Sequence, residues 1–336
     1  MSANRLPPAL QNLTVPVISA PMFTVSYPEL VLAQCKAGVV GSLPALNARQ
    51  PELLDEWLGQ MKTELAAYRD ANPGAVVGPL AVNQIAHASN VRLERDVATC
   101  VRHRVPILIT SLRAPVREII DEVHAYGGII LHDVISLRHA QKAIDAGVDG
   151  LILVAAGAGG HAGTLSPFAL VGEVRKFYDG PIVLSGSIVS GDGILAAQAM
   201  GADFAYMGTR FIASREANAS AEYKQALLNA SAADIIYSSY FSGIHGNYVR
   251  ESIVRAGLDP DHLDDLPAPR MSFADGRSKA KAWKDIWGAG QGVGLIDDLP
   301  CVAEIVSRLK QGYQAARERL ALTITTRHGC SDCATE

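Results

Sequence analysis

The sequence predicts an α/β chain that closes into a (β/α)8 TIM barrel, with a helical substrate or cap segment inserted after the eighth strand. Three observations carry this. A short apolar, β-branched run, a glycine-rich or polar turn and an amphipathic segment recur through the first two-thirds of the chain. The apolar runs are continuous rather than alternating, as in strands of a parallel sheet buried on both faces. No G-x-G-x-x-G follows the first strand, which disfavours a doubly wound sheet.

The expected strands, in order, are 15–19 (VPVIS), 39–42 (VVGS), 80–83 (LAVN), 106–110 (PILIT), 128–132 (GIILH), 150–154 (GLILV), 181–185 (PIVLS) and 204–208 (FAYMG). Helices are expected at 28–37, 51–71, 90–103, 115–126, 136–146, 167–178 and 191–200. Several open on proline, whose missing N–H costs nothing in a first helical turn. AGVDG (146–150) and MGADF (200–204) each end a helix on glycine and lead into a strand, as a repeated unit would. The expected organisation is a barrel over 1–213, a helical cap over 214–285, a return to the barrel with a closing helix over 286–323, and a tail over 324–336.

The 336 residues are 49% hydrophobic and 19% charged, with a net charge of −4. That is ample material for a large core, and no long basic run suggests nucleic acid. The start has no apolar signal core and no apolar run reaches membrane length, which predicts a cytoplasmic protein without a membrane partner. Of five cysteines, Cys35, Cys100 and Cys301 read as buried thiols. Cys330 and Cys333 form a lone CxxC near His328, a weak metal or redox signal. No cluster of histidine, cysteine and carboxylate argues for a metal.

Barrel chemistry gathers at the C-terminal ends of the strands. Those ends carry Ala20-Pro21-Met22, Asn83, Thr110-Ser111, His132-Asp133, Ser185-Gly186-Ser187 and Met207-Gly208-Thr209-Arg210. The sixth strand runs into AAGAGGHAGT (155–164), whose one reactive side chain is His161. Taken alone, that loop is equally a solvated turn or a site. The loops after the seventh and eighth strands are small, glycine-bearing and hydroxyl-bearing, where barrels commonly hold phosphate. His132 reads first as a satisfied core histidine. Arg210 reads equally as a phosphate partner or a structural ion pair.

The motifs SAPMF (19–23), AVN (81–83), AGVDG, GGHAGT (159–164), LSGSI (184–188), YMGTRF (206–211) and WGAGQGVGLIDD (287–298) follow one another along the chain. By these motifs the chain resembles the nitronate monooxygenases, formerly 2-nitropropane dioxygenases, a family of FMN-dependent barrel enzymes. The resemblance implies FMN held largely by backbone. It implies Met22 and Asn83 along the flavin ring, with Ala20 and Pro21 beside them, and Gly159 and Gly160 passing close. Ser185, Gly186, Ser187, Met207, Gly208 and Thr209 belong to the implied phosphate loops, Gln291 returns to the flavin edge, and His161 is the active-site histidine. Many members carry lysine after the fifth-strand histidine; here that place in the cofactor site holds Asp133. The implied reaction is oxidation of an alkyl nitronate, or a nitroalkane, by O2 to a carbonyl compound and nitrite, in a monomer or homodimer. The same motifs resemble flavin-dependent enoyl-ACP and NAD(P)H:quinone reductases.

Overall fold

The computed structural model describes residues 6–263 and 285–326. The CSDC pair, His328 and part of the expected cap lie outside the described residues. Eight parallel strands form the barrel: β1 (Val17–Ser19), β2 (Gly41–Pro44), β3 (Leu80–Ala86), β4 (Ile107–Leu112), β5 (Ile129–Val134), β6 (Gly150–Val154), β8 (Ile182–Ser185) and β9 (Phe204–Met207). The two-residue β7 (Gly160–His161) belongs to a separate sheet. The strands pair in barrel order from β2 through β9 to β1. A bridge between Ile18 and Val40 closes the ring, with the Ser19 amide donating to the Val40 carbonyl at 2.9 Å.

Helices alternate with these strands: α1 (Pro28–Lys36), α2 (Pro51–Ala71), α3 (Leu93–Arg102), α4 (Arg117–His124), α5 (Leu137–Ala146), α6 (Pro167–Arg175) and α7 (Gly191–Met200). Proline opens α1, α2 and α6. The side chains of Ser136 and Ser190 cap α5 and α7 by accepting from the His139 and Gly193 amides. Gly147 and Gly201 end those two helices at φ 97° and 111°. The repeat has a further purpose. Asp149 accepts the Ile130 amide at 2.7 Å, and Asp203 accepts the Ile182 amide at 2.8 Å. Each aspartate thus ties its strand start to a neighbouring strand.

Strand alternation divides the core into two layers. Ile18, Ala81, Ile109, Leu131, Ile152, Val183 and Phe204 belong to the cluster that fills the barrel, which Leu10 joins. Val17, Val82, Leu108, Ile130, Leu153, Leu184 and Met207 belong to the layer packed with the helices. Continuing the inward parity two residues toward the mouth gives Ala20, Asn83, Ser111, Asp133, Val154 and Ser185, all of which line one cavity.

The insertion after the barrel is helical at α8 (Ala221–Asn229) and α9 (Arg250–Arg255), but between them lie β10 (Ile235–Ser238) and β11 (Gly246–Val249). These form a three-stranded antiparallel sheet in the order β10-β11-β7. The chain returns through residues 285–301 to α10 (Val302–Thr326), which packs on α7. No helix of the described residues is long and apolar enough to cross a membrane, and no metal-binding cluster occurs among them.

Candidate active site

The mouth of the barrel opens on a cavity of about 680 Å3. Of the residues singled out from sequence, Ala20, Pro21, Met22, Asn83, Asp133, Gly159, Gly160, His161, Ser185, Gly208 and Thr209 line it. Gly186, Ser187, Met207 and Gln291 are not among the lining residues. Met207 is fully buried and has the outward parity, so its side chain packs toward the helices. Gly186 and Ser187 make the turn after β8 at φ 134° and 58°. A left-handed serine is an uncommon conformation. Gln291 donates its backbone N–H to the Gly157 carbonyl at 2.9 Å.

His161 sits on β7, opposite Gly246 of β11. The Ala162 amide donates to the His245 carbonyl at 3.2 Å, and the Tyr237 hydroxyl donates to the Ala162 carbonyl at 3.0 Å. Asn247, buried, donates its side-chain amide to the Ala158 carbonyl at 2.6 Å. The insertion thus fixes the glycine-rich loop from both sides of the histidine. Nε2 of His161 lies 2.7 Å from the Ser242 hydroxyl.

The glycines of this loop are small for different reasons. A β-carbon on Gly159 would collide with the backbone of Ala289 and Gly290. Gly157, at φ 81°, faces Ser187 and Gln291. Only Gly160, at φ 67°, has open space where its β-carbon would stand. Chain packing therefore accounts for Gly157 and Gly159.

Asp133 faces the cavity from β5 with Oδ1 buried and without a hydrogen-bond partner in the structure. Burial pushes its carboxyl up to about 7. The Tyr206 hydroxyl, from β9, is likewise buried and unpartnered; burial first, then the charge of Asp133, raises its pKa well above the usual range. A buried polar atom left unpaired is costly unless something meets it.

His132 has the outward parity. Its Nδ1 is 2.8 Å from the Thr110 hydroxyl, and burial lowers its pKa to about 4. It is a neutral core residue. Arg210 donates to the carbonyls of Ala213 and Asp298 and pairs with the Asp298 carboxylate at 3.2 Å. Its role is the structural one. Cys35 and Cys100 are buried and Cys301 is half-buried.

Sequence reasoning missed several lining residues. Tyr206 and Ile244 line the cavity, as do Arg49 and Arg92. The Arg49 guanidinium lies 5.1 Å from the Phe23 ring centre, and Arg92 pairs with Asp96 at 3.0 Å. Strand parity is the signal that would have found Tyr206, and that separates Ser111, which lines the cavity, from Thr110, which does not. The cap aromatics Tyr240 and Phe241 pack around Tyr248 instead of lining the cavity.

Residues 7–312 match the family model described as nitronate monooxygenase. A nitronate monooxygenase of Paraburkholderia phytofirmans is 27% identical over 357 aligned residues, covering 93% of this chain and 95% of its own. The solved structure of nitroalkane oxidase from Streptomyces ansochromogenes has a TM-score of 0.75 at 24% identity, covering 95% of this chain and 99% of its own. FabK from Thermotoga maritima has a TM-score of 0.73 at 24% identity, covering 93% and 96%. These two structures share the barrel fold.

Proposed function

The chain belongs to the nitronate monooxygenase family of oxidoreductases, and on that premise we propose that it oxidises alkyl nitronates with O2, giving a carbonyl compound and nitrite, with FMN as its cofactor. The observation that carries this reading is the placement of His161. It stands at the mouth of a mainly apolar cavity, on a loop held rigidly by the insertion. Beneath it the cavity has a size suited to a cofactor and small substrate.

The residues present fit FMN. Asp133 and Tyr206 offer buried polar atoms that await partners, and Gly160 leaves its side of the cavity open. When bound, the flavin supplies the redox chemistry, taking electrons from the substrate and delivering them to O2.

The chain supplies the rest. Met22, Asn83 and Gly160 bound the space for the ring, and Ser185, Gly208 and Thr209 that for the ribityl phosphate. Arg49 brings positive charge to the cavity that an anionic nitronate enters. His161 orients the nitronate, or takes the α-proton of a neutral nitroalkane, a task suited to imidazole near neutral pH. Apolar lining from Met22, Leu112, Ile135 and Ile244 restricts water.

A second reading, reduction fed by NADH or NADPH, is favoured by a groove of about 860 Å3 that shares Arg49 and Tyr223 with the cavity. Arg255 lies there over Trp287, 5.3 Å from its ring centre. Trp287 itself is buried and stacked on Tyr223, so the arginine, not the ring, is the feature of the groove that suits a nucleotide phosphate, although Glu222 and Asp285 share the groove.

Anaerobic mixing of the FMN-loaded protein with propionate 3-nitronate, an alkyl nitronate and NADH in turn tests both. We expect a nitronate to bleach the flavin and admission of O2 to release nitrite. Bleaching by NADH alone, with no nitrite from either nitronate, overturns the first reading in favour of the second.

A further inference from the structure

We propose that Ser242 is a positioning residue that holds His161 in one tautomer, with the proton on Nε2 and the basic lone pair on Nδ1. The inference rests on the reading of His161 as the acid/base group of the site.

The partners of the Ser242 hydroxyl argue for this arrangement; the Tyr248 phenol, which also bonds the Ser242 side chain, can donate to the same oxygen. The Ser242 hydroxyl is 2.7 Å from Nε2 of His161 and 3.0 Å from the Ile244 carbonyl oxygen. A serine hydroxyl has one proton and two lone pairs, whereas a carbonyl only accepts. With the proton given to Ile244, the oxygen offers lone pairs alone to the histidine, so Nε2 must be the donor. The reverse arrangement would put two acceptor oxygens 3.0 Å apart with no proton between them. Ser242 is 2% exposed, and burial makes such an unmade bond expensive. The Ile244 amide also points at the hydroxyl oxygen, at 3.4 Å, consistent with that oxygen being an acceptor.

The pair is set by backbone. His161 is on β7, Ser242 is in the connection from β10 to β11, and β7 and β11 are hydrogen-bonded through Gly246 and His161. Both partners therefore ride on one small sheet. Ser242 is absent from the cavity lining, whereas the His161 ring and Ile244 contribute to it. The hydroxyl thus engages the ring from outside the substrate space. When Nδ1 accepts a proton, the ring becomes cationic, and the existing bond from Nε2 to Ser242 becomes charge-assisted and stronger. Ser242 thereby favours the proton-accepting step at Nδ1 without touching substrate.

Two measurements test this. In the FMN-loaded protein labelled with 15N-histidine, long-range proton–nitrogen spectra read the tautomer, and the signals that vanish in His161→Gln identify the residue. We expect a protonated, pyrrole-type Nε2 and a pyridine-type Nδ1 in the neutral ring. The opposite assignment overturns the proposal, and this result needs no Ser242 variant to fold. In the second, Ser242→Ala is expected to lower kcat on a neutral nitroalkane about tenfold. It should also move the acidic limb of the kcat/KM profile to lower pH by about half a unit or more. Ser242→Thr, which keeps the hydroxyl, should return kcat to within about threefold. A Ser242→Ala protein with unchanged tautomer, limb and kcat overturns the proposal. Failure of the underlying reading looks different: His161→Gln would then keep its turnover, whatever the tautomer.

Discussion

A β-carbon on Gly159 would stand 2.8 Å from the backbone nitrogen of Gly290. The loop that carries His161 is thus pressed directly onto the returning chain. Gly159→Ala is expected to lose about 1–3 kcal/mol from this overpacking. Gly172, exposed inside α6 with nothing near its missing β-carbon, provides the contrast. Gly172→Ala is expected to gain about 0.5–1 kcal/mol. Denaturant unfolding of both variants checks the pair; equal effects would mean that the close approach does not matter.

His161→Ala is expected to keep a yellow, FMN-loaded protein while turnover on a neutral nitroalkane falls about 10²–10⁴-fold, the usual worth of a general base. A preformed nitronate needs no proton removed and should suffer less. Flavin absorbance and nitrite release, measured on the same samples, separate loss of cofactor from loss of chemistry.

Asp133 gives a pH dependence with a definite sign. Its carboxyl is raised to about 7 by burial, against about 3.9 in an unfolded chain. Between these values the folded state holds a proton that the unfolded state has released. This contribution to stability is therefore lost as pH rises from about 4 to 7 and is level above that. His132, lowered to about 4 by burial, acts oppositely, losing stability as pH falls from about 6.5. Asp133→Asn removes only the first effect. The variant should be more stable than the parent at pH 8, by on the order of 2–4 kcal/mol, with the advantage shrinking toward pH 4. Urea unfolding of the flavin-free proteins at several pH values measures the difference. An advantage independent of pH would show that Asp133 does not titrate in this range.

Arg210 is fixed to Asp298, and Arg308 pairs with the same carboxylate. Arg210→Ala should cost about 1–2 kcal/mol of stability, mainly from its lost hydrogen bonds to the Ala213 and Asp298 carbonyls, because the partly exposed Asp298 carboxylate keeps Arg308. FMN affinity, measured by flavin fluorescence on the folded variant, should change less than about threefold, since one charge contact to the phosphate would be worth more. A selective loss of FMN would return Arg210 to the phosphate.

Much of the barrel was legible because its signals are local. Proline marks the starts of α1, α2 and α6, and glycine ends α5 and α7. The strands lay where the apolar runs are, but β3, β4 and β5 extend past them to Ala86, Leu112 and Val134. Those extensions bring Ile85, Ser111 and Asp133 to the mouth. Which side of each strand faced inward was hidden, because runs such as GLILV are apolar on both faces. Hence Met207 was grouped with the site and Tyr206 was not. The hairpin of β10 and β11 was missed for another reason. IIYS and GNYV around a serine- and glycine-bearing turn are a strand signal, but helical propensity on either side masked it. Ser242 could not be found at all from sequence, since its partner lies 81 residues away.

The small sheet joining β7 to β10 and β11 also sets a timetable for assembly. A chain emerging from the ribosome makes β6 and the glycine-rich loop early, but the strands that order this loop come some eighty residues later. The segment that presses on Gly159 comes later still. Contacts so distant in sequence form late in folding. The nascent barrel can therefore collapse before its reactive histidine is set. The geometry around His161 should be complete only with the last third of the chain.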